Sequence, residues 1–162
     1  MWNQDEQGPK GLYFEDVEVD MMLRTRGRTI TEADVVQFAA LTGDFNPMHT
    51  DAEYMKTHEL GQRVAHGLLV LSYASGLIYQ LGFLERTTIA FRGLDMKFSL
   101  PVYIGDTITA QIKVTEKKPA RRLGGGKVTC EVKIINQDGK TVQSGAMDLL
   151  LASRPADQAV SD

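Results

Sequence analysis

From Thr88 to Ala152 apolar and polar side chains alternate, whereas earlier in the chain the apolar positions recur every three or four residues. A period of two places every second side chain on one face of a strand, and a period near 3.6 places them along one side of a helix. The later part therefore predicts four strands, over 88–99, 106–117, 127–136 and 140–152, all rich in Val, Ile, Thr and Phe. Pro101 to Gly105 and Gly124-Gly125-Gly126 interrupt the alternation, and Asn136-Gln137-Asp138-Gly139 closes the last hairpin with an Asp-Gly turn. Residues 19–30 can add an edge strand.

Helical spacing starts at Thr31, which is followed three residues later by Asp34, a weaker relative of the Ser/Thr-x-x-Glu capping box. Val35, Phe38, Ala39 and Leu41 carry the apolar stripe, and Gly43 ends it. Asp51 to Lys56 predicts a short second helix. A long apolar helix then starts near Gly67. Its run, Leu68 to Leu84, is short for a membrane span, contains Ser72, Ser75 and Gln80, and is followed by Glu85-Arg86. A helix apolar nearly all round is what a buried core helix looks like. Antiparallel strands following such a helix predict an α+β fold, with a sheet curled around a buried central helix.

The 162 residues suit one domain. The polar stretch 1–11 reads as a loose arm, 12–154 as a single domain, and 155–162 as a similar tail. With 18 Lys and Arg against 21 Asp and Glu, the net charge is −3, so no general attraction for nucleic acid is expected. The single cysteine, Cys130, lies in an alternating segment and reads as a small buried filler. Asp5, Glu6, Glu15 and Asp16 precede any long apolar run, so a secretory signal is not expected and a cytoplasmic setting follows by default.

The candidate chemistry lies in Thr42-Gly43-Asp44-Phe45-Asn46-Pro47-Met48-His49. Pro47 disfavours helix at Asn46, and Gly43 permits an unusual dihedral where the first helix ends. The bend can bring the Asp44 carboxylate and the His49 imidazole, five residues apart, to one small volume, a pair suited to proton transfer near neutral pH. The plainer alternative is a polar turn with a surface histidine. A second candidate is His66-Gly67-Leu68, at the mouth of the apolar helix. The first amides of a helix lack internal partners, and Gly67 lets a ligand oxygen approach closely. That amide could hold a carbonyl oxygen as negative charge builds on it. Equally, Gly67 could serve only close packing, with His66 as a polar cap.

Asp44-Phe45-Asn46-Pro47-Met48-His49 has the Asp-x-Asn-Pro-x-His pattern of the (R)-specific enoyl-CoA hydratases, the MaoC-like dehydratases of the hotdog fold. The resemblance runs over roughly 22–152 and includes Ala65-His66-Gly67 and Phe98-Ser99-Leu100-Pro101-Val102-Tyr103-Ile104-Gly105-Asp106. It implies that Asp44 and His49 activate a water, that the Gly67 amide polarises the thioester carbonyl, and that Ser75 supports the dyad from behind. Asn46 is expected to hold the loop, and His66 and Leu68 to lie beside the substrate. The implied substrate is an acyl-CoA thioester. No cofactor and no metal are expected, since the family uses none and neither a Cys pair nor HExxH is present; His58 and His66 are not expected as ligands. A homodimer or larger even assembly is implied.

Three further expectations can be checked. Tyr73, Tyr79, Met48, Leu69 and Phe83 are candidates to line or back the pocket. Lys117, Lys118, Arg121, Arg122 and Lys127, around a Gly-rich hairpin tip, either meet CoA phosphates or form a solvated turn. Two rival functions remain: a hotdog acyl-CoA thioesterase, which would release free thiol, and a non-catalytic acyl-thioester-binding subunit, which would bind without turnover.

Overall fold

The structure, a computed structural model, describes residues 11–155; most of the expected arm and tail lies outside the described residues. Two short strands, β1 (Met22–Arg24) and β2 (Arg28–Thr29), precede the helices α1 (Glu32–Thr42), α2 (Pro47–Thr50), α3 (Ala52–Lys56) and α4 (Gly67–Tyr79). Four long strands follow: β3 (Thr88–Phe98), β4 (Thr107–Ala120), β5 (Gly125–Ile135) and β6 (Thr141–Ala152). The sheet is antiparallel, in the order β1-β4-β5-β6-β3, with β2 also paired to β4. All four long strands stand within a few residues of their expected ranges, while the expected edge strand is two short pieces.

Local chemistry explains the helix that leads into the site. Thr31 Oγ1 accepts the Asp34 amide at 3.3 Å, and Asp34 Oδ2 accepts the Thr31 amide at 2.8 Å, so the aspartate completes a reciprocal box despite its short side chain. Gly43 ends α1 with φ +77°, its amide donating to Ala39 O at 2.8 Å. Asp34 also accepts from the Tyr73 hydroxyl and pairs with Arg28, whose guanidinium lies 3.7 Å above the Tyr73 ring. This network ties α1 to α4. Tyr73 is therefore a tether between helices, not a pocket residue.

The core lies between α4 and one face of the sheet. Ile108, Ala110, Ile112 and Val114 of β4, Val128, Cys130, Val132 and Ile134 of β5, and Met147, Leu149 and Leu151 of β6 are buried at alternate positions and pack with Leu69, Val70, Ala74 and Ile78 of α4. Burial pushes the Cys130 thiol up to about 11, with Asp148 adding to the rise, as suits an inert filler.

Two expectations about the helix are corrected. It ends at Tyr79, before the apolar run does, because the chain turns at Gly82 (φ +80°). It is also buried on one side only: Leu68, Ser72, Ser75 and Tyr79, at helical spacing, form an exposed stripe. The stripe is left open because a single sheet covers only one side of the helix. Beside it β3 is an edge strand, pairing only with β6 among the described residues and exposing Ile89, Phe91, Leu94 and Phe98. No helix among the described residues is long and apolar enough to cross a membrane.

The hairpin-tip cations are largely occupied by the fold itself. Lys117 Nζ donates to the carbonyls of Phe14 (2.9 Å) and Val17 (2.6 Å), Lys127 pairs with Asp148 (2.9 Å), and Lys118 with Glu116 (2.5 Å). Of the two readings of this cluster, the turn is the one these contacts favour.

Candidate active site

The bend after α1 is more ordered than a loop. The Asp44 amide donates to Thr42 Oγ1 (3.3 Å), and Asp44 Oδ1 accepts the Asn46 amide at 3.3 Å. Asn46 Oδ1 accepts the Met48 amide at 3.2 Å, capping a single helical turn, α2, with Pro47 at its first position. Asn46 thus holds the loop, through contacts that are all local. The turn carries His49 inward, 7% exposed, while Asp44 stays exposed.

His49 Nδ1 lies 2.8 Å from the carbonyl of Val64. A carbonyl can only accept, so the proton sits on Nδ1 and Nε2 keeps its lone pair. Burial lowers the His49 pKa most; the Val64 carbonyl raises it, His66 lowers it and Asp44 raises it, leaving it below the ordinary imidazole value. At neutral pH the ring is therefore a neutral acceptor. The same logic applies to His66, whose Nε2 lies 3.0 Å from the backbone carbonyl of Asp44 and so carries the proton. The His66 ring stacks on His49 with centroids 3.8 Å apart and planes inclined by 27°.

One ligand atom each from Asp44, His49 and His66 lies within 4.8 Å of the others. A metal bound by two imidazoles must sit near both ring planes. The stacked rings, with one nitrogen of each turned to a backbone carbonyl, hold those planes apart, which fits shared coordination poorly.

A cavity of about 400 Å³ opens beside His49 and is lined by Met48, Val64, Gly67, Phe98 and Gln143 among others. Gly67 is the first residue of α4, where an amide has no partner within the helix. A Cβ at this position would stand 2.7 Å from the Phe98 ring. The cavity thus has His49 and the helix-mouth residue Gly67 in one largely apolar wall, while Asp44 is not among its lining residues and reaches the site through His49, a ligand atom of each lying within 4.8 Å of the other.

Other expected site residues are elsewhere. Leu68, 60% exposed, does not line this cavity, since one helical step rotates it about 100° from Gly67. Ser75 is exposed on the open stripe and lines a separate cavity of about 340 Å³ between α4 and the sheet. It lies two turns beyond Gly67, and Val64, not Ser75, holds His49. His66, 2% exposed, is beneath the dyad and absent from the cavity wall. Of the proposed pocket residues only Met48 lines the cavity; Leu69 is core, Phe83 packs against the core and Tyr79 is exposed. Sequence reasoning missed Gln143, 2% exposed, whose Nε2 donates to Gly67 O at 2.9 Å. Its one signal was an amide at an alternate position of β6 where an apolar side chain is expected.

The family described as MaoC like domain matches residues 16–136. This chain belongs to that family. Over 142 residues it is 32% identical to the (R)-specific enoyl-CoA hydratase of Rhodospirillum rubrum, covering 88% of this chain and 93% of the relative. It is 37% identical over 123 residues to the 3-hydroxybutyryl-CoA dehydratase of Methylorubrum extorquens, covering 75% of each. Among solved structures, the (R)-hydratase of A. caviae superposes with a TM-score of 0.73 at 30% identity, over 85% of this chain and 98% of the other. A protein of Archaeoglobus described as a monoamine oxidase regulatory protein superposes at 0.84 with 37% identity, over 91% and 98% of the two chains. The MaoC-like assignment makes the α+β architecture a hotdog fold and the chain a hydratase or dehydratase, a hydro-lyase.

Proposed function

We propose that this MaoC-like protein is an (R)-specific enoyl-CoA hydratase, adding water reversibly and in syn fashion to trans-2-enoyl-CoA. The observation that carries the reading is the His49 Nε2 lone pair, free because Val64 holds Nδ1, in the cavity that Gly67 also lines. Asp44 and His49 orient and deprotonate one water, whose oxygen bonds to C3. The π electrons of C2=C3 move toward the thioester carbonyl, and the Gly67 amide receives the negative charge on its oxygen. The proton taken from water returns to C2 from the same side, giving the (R)-3-hydroxyacyl thioester. The dyad acts as one titrating unit. No metal or nucleotide has a part in these steps.

Acid pH should report the His49 ring directly. A depressed histidine pKa means that the neutral form persists to lower pH than in a free imidazole, so activity should be flat at pH 7 and fall only below about 6.5. A pH profile of kcat/KM checks this; an acid limb centred above pH 7 contradicts it. Gln143 is expected to hold the Gly67 peptide in place. Gln143→Leu should lower kcat about tenfold with little change in KM, a loss matching one hydrogen bond to a catalytic peptide. Steady-state kinetics on crotonyl-CoA measure it, and unaltered kcat removes this role.

The assembly proposed is a homodimer, supported by the β3 edge, unpaired on one side among the described residues, and by Leu68 and Tyr79 on the exposed stripe of α4 beside it. A CoA-dependent reaction goes with a cytoplasmic setting. A panel of enoyl-CoA chain lengths with chiral product analysis tests the function. Loss of enoyl absorbance with an (R)-3-hydroxy product supports it. Free thiol release marks the thioesterase alternative, and binding without turnover marks the binding subunit.

A further inference from the structure

The entry to α4 has a histidine whose side chain does not cap the helix. His66 occupies the N-cap position but makes no capping hydrogen bond. Instead Nε2 reaches 22 residues back in sequence to the carbonyl of Asp44 at 3.0 Å, and the ring face lies 3.8 Å from His49. One buried side chain therefore touches both members of the dyad. The Phe38 ring of α1 also meets the imidazole, with centroids 5.0 Å apart and planes inclined by 53°.

The arrangement is not what packing alone would select. His66 Nδ1 is buried with no hydrogen-bond partner among the described residues, which costs folding free energy that an apolar ring in the same slot would not incur. What a histidine supplies here and a phenylalanine does not is the Nε2–H that holds Asp44's backbone. What it supplies and an asparagine or glutamine does not is the flat face that fixes the His49 ring.

We infer that His66 is a positioning residue of the dyad, clamping the Asp44 backbone with its Nε2–H and orienting the His49 imidazole by stacking, so that both catalytic groups face one water. The inference rests on the hydratase reading for the water and on geometry alone for the clamp. The titratable groups bearing on His49 are His66 and Asp44; Val64 presents its carbonyl to His49, and the uncharged Phe38 ring of α1 meets His66. Removing His66 removes an influence that lowers the His49 pKa, so that pKa should rise.

Two variants separate the functions of the ring. His66→Phe keeps a flat face and loses the donor; His66→Gln keeps a donor and loses the face. With crotonyl-CoA, His66→Phe is expected to lower kcat about 10²-fold with KM within about twofold, the loss typical of a displaced catalytic group. His66→Gln is expected to stay within about tenfold of the parent. NMR titration of the His49 imidazole, which needs no substrate, should show its midpoint moving to higher pH in both variants. An unmoved midpoint, or equal kcat losses in the two variants, overturns the inference. If the parent protein proves inactive on every enoyl thioester, the hydratase reading fails, and crystal structures of the variants decide the clamp: an Asp44 carbonyl and a His49 ring both unmoved in His66→Phe overturn it. If His66→Phe does not fold, His66→Gln decides alone: a His49 ring that keeps its orientation in the crystal, together with an unmoved midpoint, overturns the inference.

Discussion

Asp44→Asn and His49→Ala should each lower hydration of crotonyl-CoA by about 10²- to 10⁴-fold, the usual contribution of a positioned acid–base group. The two losses should not add in the double variant, because the groups act on one water. Asp44 is exposed, so its amide variant should keep the parent's stability and lose only the proton-accepting carboxylate. His49 is buried and holds the Val64 carbonyl, so alanine there also leaves a hole and an unpaired acceptor. His49→Gln, which can still donate, provides the check: it should fold like the parent and remain slow. Rates within tenfold of the parent in either well-folded variant would remove the dyad from the mechanism.

The second large effect is expected at Gly67. A Cβ there would lie 2.7 Å from Phe98 Cδ1 and 2.9 Å from Cε1, at the amide proposed to face the thioester oxygen. Phe98 is on the edge strand and 53% exposed, so its ring can move aside and the fold should survive. Gly67→Ala should nevertheless lower kcat/KM about 10²-fold, as loss of one oxyanion donor does. Adding Phe98→Leu separates two causes. If the amide needs an open approach, relieving the clash leaves the enzyme slow; if the ring's displacement caused the loss, the double variant recovers. Recovery to the parent rate would argue against an oxyanion role for this amide.

What could be read from the sequence was what short-range chemistry controls. Thr31 with Asp34 starts α1, Gly43 ends it, and alternation over four segments marks the long strands, because each signal involves neighbours in the chain. Asp44 and His49 were found together for the same reason: only a few bonds separate them, and Pro47 restricts the path. Partners distant in sequence were not legible. Alternation does not say that β3 pairs with β6, nor that α4 keeps an open stripe, since both depend on which elements close over which. Tyr73 looked like a pocket residue, but Asp34, 39 positions away, binds its hydroxyl. Lys117 could be read as a phosphate contact or as part of a solvated turn, and the carbonyls of Phe14 and Val17, about a hundred residues away, hold it. His66 was recognised as part of a motif and assigned to the substrate. Its bond to the Asp44 carbonyl depends on how closely α1, α2 and α4 meet, which no local pattern encodes.

Hydration of crotonyl-CoA in deuterium oxide tests the central claim most directly. If Asp44 and His49 return to C2 the hydrogen taken from the attacking water, the product is (R)-3-hydroxybutyryl-CoA, with deuterium at C2 on the face that received the oxygen. Product deuterated on the opposite face, an (S) centre at C3, or thiol release without hydration would contradict it.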